Sequence, residues 1–368
     1  MSKEALRIAI IGCGQIAQQH MENYRGLPGV KMVAFCDLNL EAAQKAAAEY
    51  GPADALSDFR EVLKRDDVDA VDVCLHNNLH APVTIAALEA GKHVYCEKPM
   101  AGSYADALAM KEAAQRTGKM LHIQLGFLYA PETRAARELT AGGHLGEVFH
   151  GRSAGFRRRG RPYVDGYGTP NFVQKKQASG GALYDMGVYH ISQMLYLLGN
   201  PDVARISGKT YQKLPIDAAR QASSNYDVEE LAVGLIRFSG GHSMELVESW
   251  AANLDGFGGS YLLGSLGGIR LAPFGFFHNL DDLELSSTVD LGAAGFRWSN
   301  VRGDGHFYNS SQGHWLAALR GDVPLLPTAQ IALNTMLISE GIYLSQKLDR
   351  EITAEEVREA SVSTAIQI

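Results

Sequence analysis

Arg7-Ile8-Ala9-Ile10-Ile11-Gly12-Cys13-Gly14-Gln15-Ile16-Ala17 decides the fold of this 368-residue chain. A β-branched run enters a GxGxxA turn, and the residues that follow, to Tyr24, have helical composition. Glycines at such a strand-to-helix turn read as a phosphate cradle. Gly12 allows the tight turn, Gly14 lets a pyrophosphate approach the backbone, and Ala17 lets the helix lie close on the sheet. The first helical residues, Gln15 and Ile16, then present the positive end of the helix dipole to the phosphates.

The next strand, Val30 to Cys36, ends in Asp37, at the spacing from the glycines expected of a ribose-binding acid. A carboxylate there accepts hydrogen bonds from ribose hydroxyls and repels a 2′-phosphate, which predicts NAD over NADP. The alternative is that Asp37 only caps the following helix. Strands and helices then alternate: helices over 41–50 and 58–65, a strand over 70–75, a helix over 81–90, a strand over 94–96, a helix from the capping box Ser103–Asp106 to Thr117, and a strand over 120–125. This alternation predicts a parallel, doubly wound α/β sheet over residues 1–125.

In Gly91-Lys92-His93-Val94-Tyr95-Cys96-Glu97-Lys98-Pro99-Met100 a short apolar strand stops at a Glu-Lys pair. Ligands of open α/β sheets sit beyond the carboxyl ends of the strands, so Lys98 is placed where it can serve a reaction. Leu75, His76, Asn77 and His80 follow another strand end on the same rim. The cofactor-binding set is thus Gly12, Gly14, Gln15, Ile16, Asp37, Leu75, His76, Asn77, His80, Glu97, Lys98 and Gln124.

A net charge of −7 argues against nucleic-acid or anionic-membrane partners. No stretch approaches the roughly 18 apolar residues of a membrane span. The N-terminus lacks secretory-signal features, and the four cysteines lack metal or disulfide spacing. A cytoplasmic protein with buried free thiols and no bound metal is expected.

From residue 126 to 368 the pattern changes to strands at 147–156, 203–213, 230–238, 243–250 and 260–266, with helices at 131–139, 312–320 and 329–347. The glycine-rich pieces 256–259 and 292–295 read as loops. An α+β domain with a large, mostly antiparallel sheet follows. A sheet face left uncovered suits a homo-oligomer, dimer or tetramer.

Ser179 to His190 opens a helix running to about Leu198. Leu183, Gly187, Ile191, Met194, Leu195 and Leu198 fall on one apolar arc, and Asp185, Tyr189, Gln193 and Tyr196 on the opposite stripe. Asp185 and Tyr189 are i,i+4 neighbours, so a carboxylate can orient a phenol that acts as general acid and base once a nearby cation lowers its pKa. His190, at the border of the arc, is the competing base or a satisfied interior histidine. Arg157 and Arg158, in the run Arg157-Arg158-Arg159-Gly160-Arg161, are candidates for holding an anionic or polyhydroxylated substrate, against the plainer reading of a solvated loop.

Together, Gly12–Ala17, Glu97-Lys98-Pro99, Gly180-Gly181-Ala182-Leu183-Tyr184-Asp185-Met186-Gly187 and the helices of the C-terminal part resemble the Gfo/Idh/MocA oxidoreductase family over nearly the whole chain. The resemblance implies NAD(P), a hydride moved to or from a sugar or cyclitol carbon, and a catalytic lysine that maps to Lys98. It also implies a cis peptide before Pro99, an Asp at Asp185 and an acid/base at Tyr189, where many members carry His. Leu75-His76 stands where many members have Thr-Pro. The expected substrate contacts are Lys98, Asp185, Tyr189, Arg157 and Arg158. Two further activities fit relatives of this kind. One is a redox-neutral glycosidase acting through a transient keto-sugar, in which His190 supplies a second base. The other is a non-catalytic NAD-binding regulator.

Overall fold

Ile8, Ala9 and Ile10 have no exposed surface, as a β-branched strand with a parallel neighbour on each side requires. A computed structural model describes residues 4–368. Contacts divide the chain into two units, one built from residues up to Gln124, His306–Gln330 and Ser363–Ile368, the other from Leu125–Gly305 and Ile331–Val362.

The strands of the first unit are β1 (Leu6–Ile11), β2 (Val30–Cys36), β3 (Asp54–Leu56), β4 (Ala70–Val73), β5 (His93–Cys96) and β6 (Leu121–Ile123). They form a parallel sheet in the order β3-β2-β1-β4-β5-β6. Its helices are α1 (Gln15–Arg25), α2 (Leu40–Tyr50), α3 (Phe59–Leu63), α4 (Asn77–Glu89) and α5 (Tyr104–Thr117), with a further one at Ser311–Leu319. The strand order reverses between β1 and β4, and that switch point is where such sheets bind ligands.

The expectation gave everything beyond residue 125 to a second domain. The contacts return 306–330 and 363–368 to the first unit. Trp315, fully buried, packs its ring 5.2 Å from that of Tyr95 on β5, and Ser311 and Thr328 bind the two ring nitrogens of the buried His122. α4 begins at Asn77, earlier than the expected residue 81, and carries Pro82 in its interior. Proline has no N–H, so the Asn78 carbonyl lacks its helical partner; the Ile366 N–H donates to it at 3.1 Å. The Ser103–Asp106 capping box is not reciprocal. Ser103 Oγ caps the Asp106 N–H, but the Asp106 carboxylate is taken by Ser103 Oγ, Ser363 Oγ and the Thr364 amide.

The second unit contains β7 (Val148–Phe156), β8 (Val203–Tyr211), β9 (Leu231–Phe238), β10 (Ser243–Ser249), β11 (Tyr261–Gly264), β12 (Gly267–Arg270), β13 (Gly275–Leu280), β14 (Leu283–Ser287) and β15 (Ile352–Thr353). They form one sheet, β14-β13-β12-β11-β7-β10-β9-β8-β15, antiparallel except for the β7–β10 pair. Ala232, Ile236, Met244, Leu246 and Leu262 are buried on one face. Gly292 and Gly295, expected in a loop, lie in the helix Leu291–Asn300, which Asp290 caps through the Ala293 N–H. The cap supplies what the glycines lack in propensity.

Candidate functional site

In the first unit the glycine turn is built to two different constraints. Gly12 has φ +93°, and a Cβ there would stand 2.3 Å from the Cys74 carbonyl oxygen. Gly14, the N-cap of α1, has no atom within 4 Å of such a Cβ. Gly14, Gln15 and Ile16 are exposed, so the first turn of α1 presents open N–H groups beside an empty approach. Asp37 accepts the Cys13 N–H at 2.8 Å through Oδ2 and the Asn39 N–H at 2.9 Å through Oδ1. The cap of α2 is Asn39, which sets aside the capping alternative for Asp37. At the ends of β4 and β6, His76 is exposed, Leu75 and Asn77 are half-buried, and Gln124 Oε1 is buried with no hydrogen-bond partner among the described residues. A dinucleotide fits this edge: the cradle is open at Gly14, and an unsatisfied acceptor waits at Gln124.

Two expected cofactor contacts point elsewhere. His80 is fully buried one turn into α4, its ring nitrogens 2.8 Å from the Pro99 carbonyl and 3.0 Å from the Leu75 carbonyl. Burial lowers its pKa against the pull of those carbonyls. It holds the backbone of the rim. Glu97 is also buried, with Oε1 on His20 Nε2 at 2.7 Å and Oε2 on the Lys98 N–H at 2.9 Å. Lys98 follows, half-buried, and the Lys98–Pro99 bond is cis, as the resemblance implied.

In the second unit the helix of Asp185 does not start as a simple α-helix. Leu183–Gly187 is a π turn that passes into the α-helix Val188–Leu197. Its entrance is clamped by the buried Glu229, whose carboxylate accepts the N–H groups of Gly181 and Leu183 at 2.9–3.0 Å. A Cβ on Gly181 would lie 2.0 Å from the Glu229 carbonyl, which is why a glycine stands there. Burial raises the Glu229 pKa, and the backbone hydrogen bonds oppose that rise. A π turn widens the helix and is frequent at functional sites.

Asp185 accepts the Trp250 indole N–H at 3.0 Å, and Arg157 Nη1 stands 3.9 Å from the same oxygen. Tyr189 stacks on Phe127 at 5.1 Å, and His190 meets the same ring edge-on at 5.2 Å. His190 Nδ1 lies 3.0 Å from Glu248 Oε2, and Glu248, with no exposed surface, also accepts Ser153 Oγ at 2.8 Å. Burial lowers the His190 pKa, but the Glu248 charge and hydrogen bond outweigh it and leave it raised. A side chain on Gly155 would collide with this pair, its Cβ 2.2 Å from Glu248. Gln193, expected on the polar stripe, is buried and donates to Thr133 Oγ1 at 2.7 Å. The arginine run divides by burial. Arg161 is 3% exposed and fixed by Asp165 and Glu230, Arg158 and Arg159 are exposed, and Arg157 reaches Tyr167 and Asp185. Glu229, Glu248, Trp250 and Phe127 went unnoticed in the sequence. Glu248 alone had a signal there, sharing the inward period-2 phase of Met244 and Leu246.

Comparison with known proteins agrees with both halves. Residues 6–125 match the family model described as an oxidoreductase family with an NAD-binding Rossmann fold, and residues 133–270 match the model of the GFO/IDH/MocA C-terminal domain. The chain is 34% identical over 260 residues to a D-glucoside 3-dehydrogenase of Escherichia coli (strain K12), covering 69% of this chain and 73% of that one. It is 25% identical over 354 residues to a D-apiose dehydrogenase of Paraburkholderia graminis, covering 94% and 88%. Among solved structures, an oxidoreductase domain protein from Kribbella flavida superposes with a TM-score of 0.81 at 24% identity, over 96% of this chain and all of that one (100%).

Proposed function

The chain belongs to the Gfo/Idh/MocA oxidoreductase family, with an NAD-binding Rossmann domain, and from that premise we propose that it moves a hydride between NAD and a hydroxyl-bearing carbon of a sugar, sugar derivative or cyclitol. The observation that carries this reading is the rim of the first sheet, where the open cradle at Gly14 shares an edge with the strand-end amine of Lys98. When bound, the nicotinamide supplies the two-electron exchange. The chain's own residues manage charge and protons. Lys98 donates to the substrate oxygen and stabilises the negative charge that grows on it during oxidation. Tyr189 is the acid and base of its own unit, able to take a proton from a substrate hydroxyl and return it in the reverse direction. Asp185, held by Trp250 and flanked by Arg157, orients the substrate hydroxyls, and Phe127 keeps water from one side of Tyr189 and His190. The Glu248–His190 pair provides a second proton-transfer group beside Tyr189. Arg157 and Arg158 bind polar or anionic substituents of the substrate. Purified protein incubated with NAD and a panel of sugars and cyclitols tests the reading. Growth of NADH absorbance with at least one member is expected; NAD binding without reduction by any of them would overturn it.

Within this proposal Asp37 selects NAD over NADP. The residues after it, Leu38, Asn39 and Leu40, offer no cation to a 2′-phosphate, and Leu38 is 92% exposed. Asp37→Ser is expected to lower the NAD/NADP ratio of kcat/KM by about 10-fold or more, since it removes a like charge facing the phosphate. An unchanged ratio would remove Asp37 from the assignment. Among the described residues no helix is long and apolar enough to cross a membrane, and a cytoplasmic location belongs to the proposal. So does a homo-oligomer through the second sheet face, where Val233, Leu235, Val247 and Leu263 are partly or largely exposed.

A further inference from the structure

The first unit buries a charged chain that the roles above leave unused. His20, on α1, is 2% exposed and lies between two carboxylates, Nδ1 at 2.9 Å from Asp72 Oδ2 and Nε2 at 2.7 Å from Glu97 Oε1. Ionised carboxylates only accept, so a ring placed this way carries both of its protons. Asp72, in the middle of β4 with no exposed surface, is held from behind by Tyr24 Oη at 2.9 Å and Cys74 Sγ at 3.3 Å. On the other side, Glu97 Oε2 receives the Lys98 N–H at 2.9 Å.

The electrostatics agree with an imidazolium. Burial alone would lower the His20 pKa, but the charge and hydrogen bond of Asp72 raise it well above the ordinary value. Burial would raise the Glu97 pKa, but the hydrogen bond and charge of His20 and the charge of Lys98 bring it below the ordinary value. The other titratable groups facing His20 are Tyr24, Cys74 and Tyr95, all pushed upward by burial and therefore neutral. His20, Asp72 and Cys74 have the residue types of a metal site. With both ring nitrogens given to carboxylates, His20 has no lone pair left for an ion.

Burying charges carries a desolvation penalty, and apolar side chains of the same volume often stabilise as well or better. A role in placing something accounts for what stability does not. We propose that His20, backed by Asp72, is a positioning residue for Lys98: it fixes the Glu97 carboxylate, which fixes the Lys98 amide and with it the point where the chain leaves β5. The inference rests on the role assigned to Lys98 above. A functional side chain is only as well placed as the contacts behind it. Here those contacts run from β4 through α1 to the end of β5, within one unit.

Asp72→Asn tests it. Removing one of the two carboxylates makes the imidazolium easier to deprotonate. The neutral ring keeps one proton for Glu97 but no longer its charge, so the hold on Glu97 weakens as pH rises. The alkaline limb of kcat is therefore expected to move down by about 1 pH unit or more. Lys98 amide exchange should quicken by about 10-fold over the same range, beyond the change due to pH itself, while NAD affinity stays within about 2-fold of the parent. A purely structural role would lower the melting temperature and leave the limb where it was. A folded Asp72→Asn with the parental pH profile and parental Lys98 amide protection overturns the proposal. Should that variant not fold, nitrogen NMR of the unmodified protein decides: both His20 ring nitrogens protonated at neutral pH support the relay, and a neutral ring overturns it. Amide exchange at Lys98 reads the relay without turnover, so its outcome stands apart from that of Lys98→Ala, which tests the catalytic role.

Discussion

Lys98→Ala is expected to lower kcat by about 100- to 10,000-fold while leaving the NAD dissociation constant within about 2-fold of the parent. The size follows from what the amine does in the proposed reaction. It meets negative charge that exists on the substrate oxygen only as the hydride leaves, so its contribution is greatest at the transition state and small in the ground state. The fold should survive the change. Lys98 lies beyond the last residue of β5, and its backbone N–H, which Glu97 holds, remains in alanine. Stopped-flow reduction of bound NAD measures the chemical step, and fluorescence titration measures cofactor affinity. A variant that reduces NAD at the parental rate would exclude Lys98 from the chemistry.

Gly12→Ala and Gly14→Ala are expected to fail in different ways, although the two glycines are separated by one residue. At Gly12 the new methyl would meet the Cys74 carbonyl oxygen at 2.3 Å with φ at +93°. Backbone lies on both sides of that contact, and neither side can turn away. A loss of about 3 kcal/mol or more is expected, with a matching fall in the melting temperature. At Gly14 φ is −75° and no atom lies within 4 Å, so alanine fits the folded chain, and as a poorer N-cap it should cost no more than about 1 kcal/mol. The methyl instead occupies the approach to the first turn of α1, and NAD affinity is expected to fall by about 10-fold or more. Melting curves and NAD titrations of the two variants separate the effects. A Gly14→Ala protein that binds NAD as tightly as the parent would show that the open space is not the phosphate cradle.

The first sheet was readable because parallel strands bury both faces and leave unbroken apolar runs between turn signals, and because the glycine turn marks the switch point. What escaped were polar groups placed inside those apolar runs. Asp72 sits in Ala70–Val73, and His20 shares the buried face of Ala17, Met21 and Tyr24. Their positions betray burial, but only the folded chain shows that each is the other's partner. Glu97 and Lys98 are neighbours in sequence, and in extended chain neighbours point opposite ways. With one directed into the core, the pair could not share the rim. A helix expected from residue 81 leaves His80 in the strand-end loop, whereas α4 starts at Asn77 and carries Pro82 in its interior. The π turn before Tyr189 has no local signature, since its entrance is held by Glu229, which lies far along the chain from Gly181.

The first unit's return to residues 306–330 and 363–368 has a consequence for how the chain comes off the ribosome. A nascent chain that has completed β6 holds every strand of the nucleotide-binding sheet but not Trp315, Ser311 or Thr328, and its Asn78 carbonyl and Asp106 carboxylate still await Ile366, Ser363 and Thr364. Domains generally fold as units during synthesis, the N-terminal one first. Here the six strands precede the residues that close them, and 363–368 follow β7 to β15, so the seam stays open until those residues emerge. A gene cut after Gln124 would encode the visible Rossmann sheet and still release a polypeptide with an open seam, a natural client for chaperones and proteases.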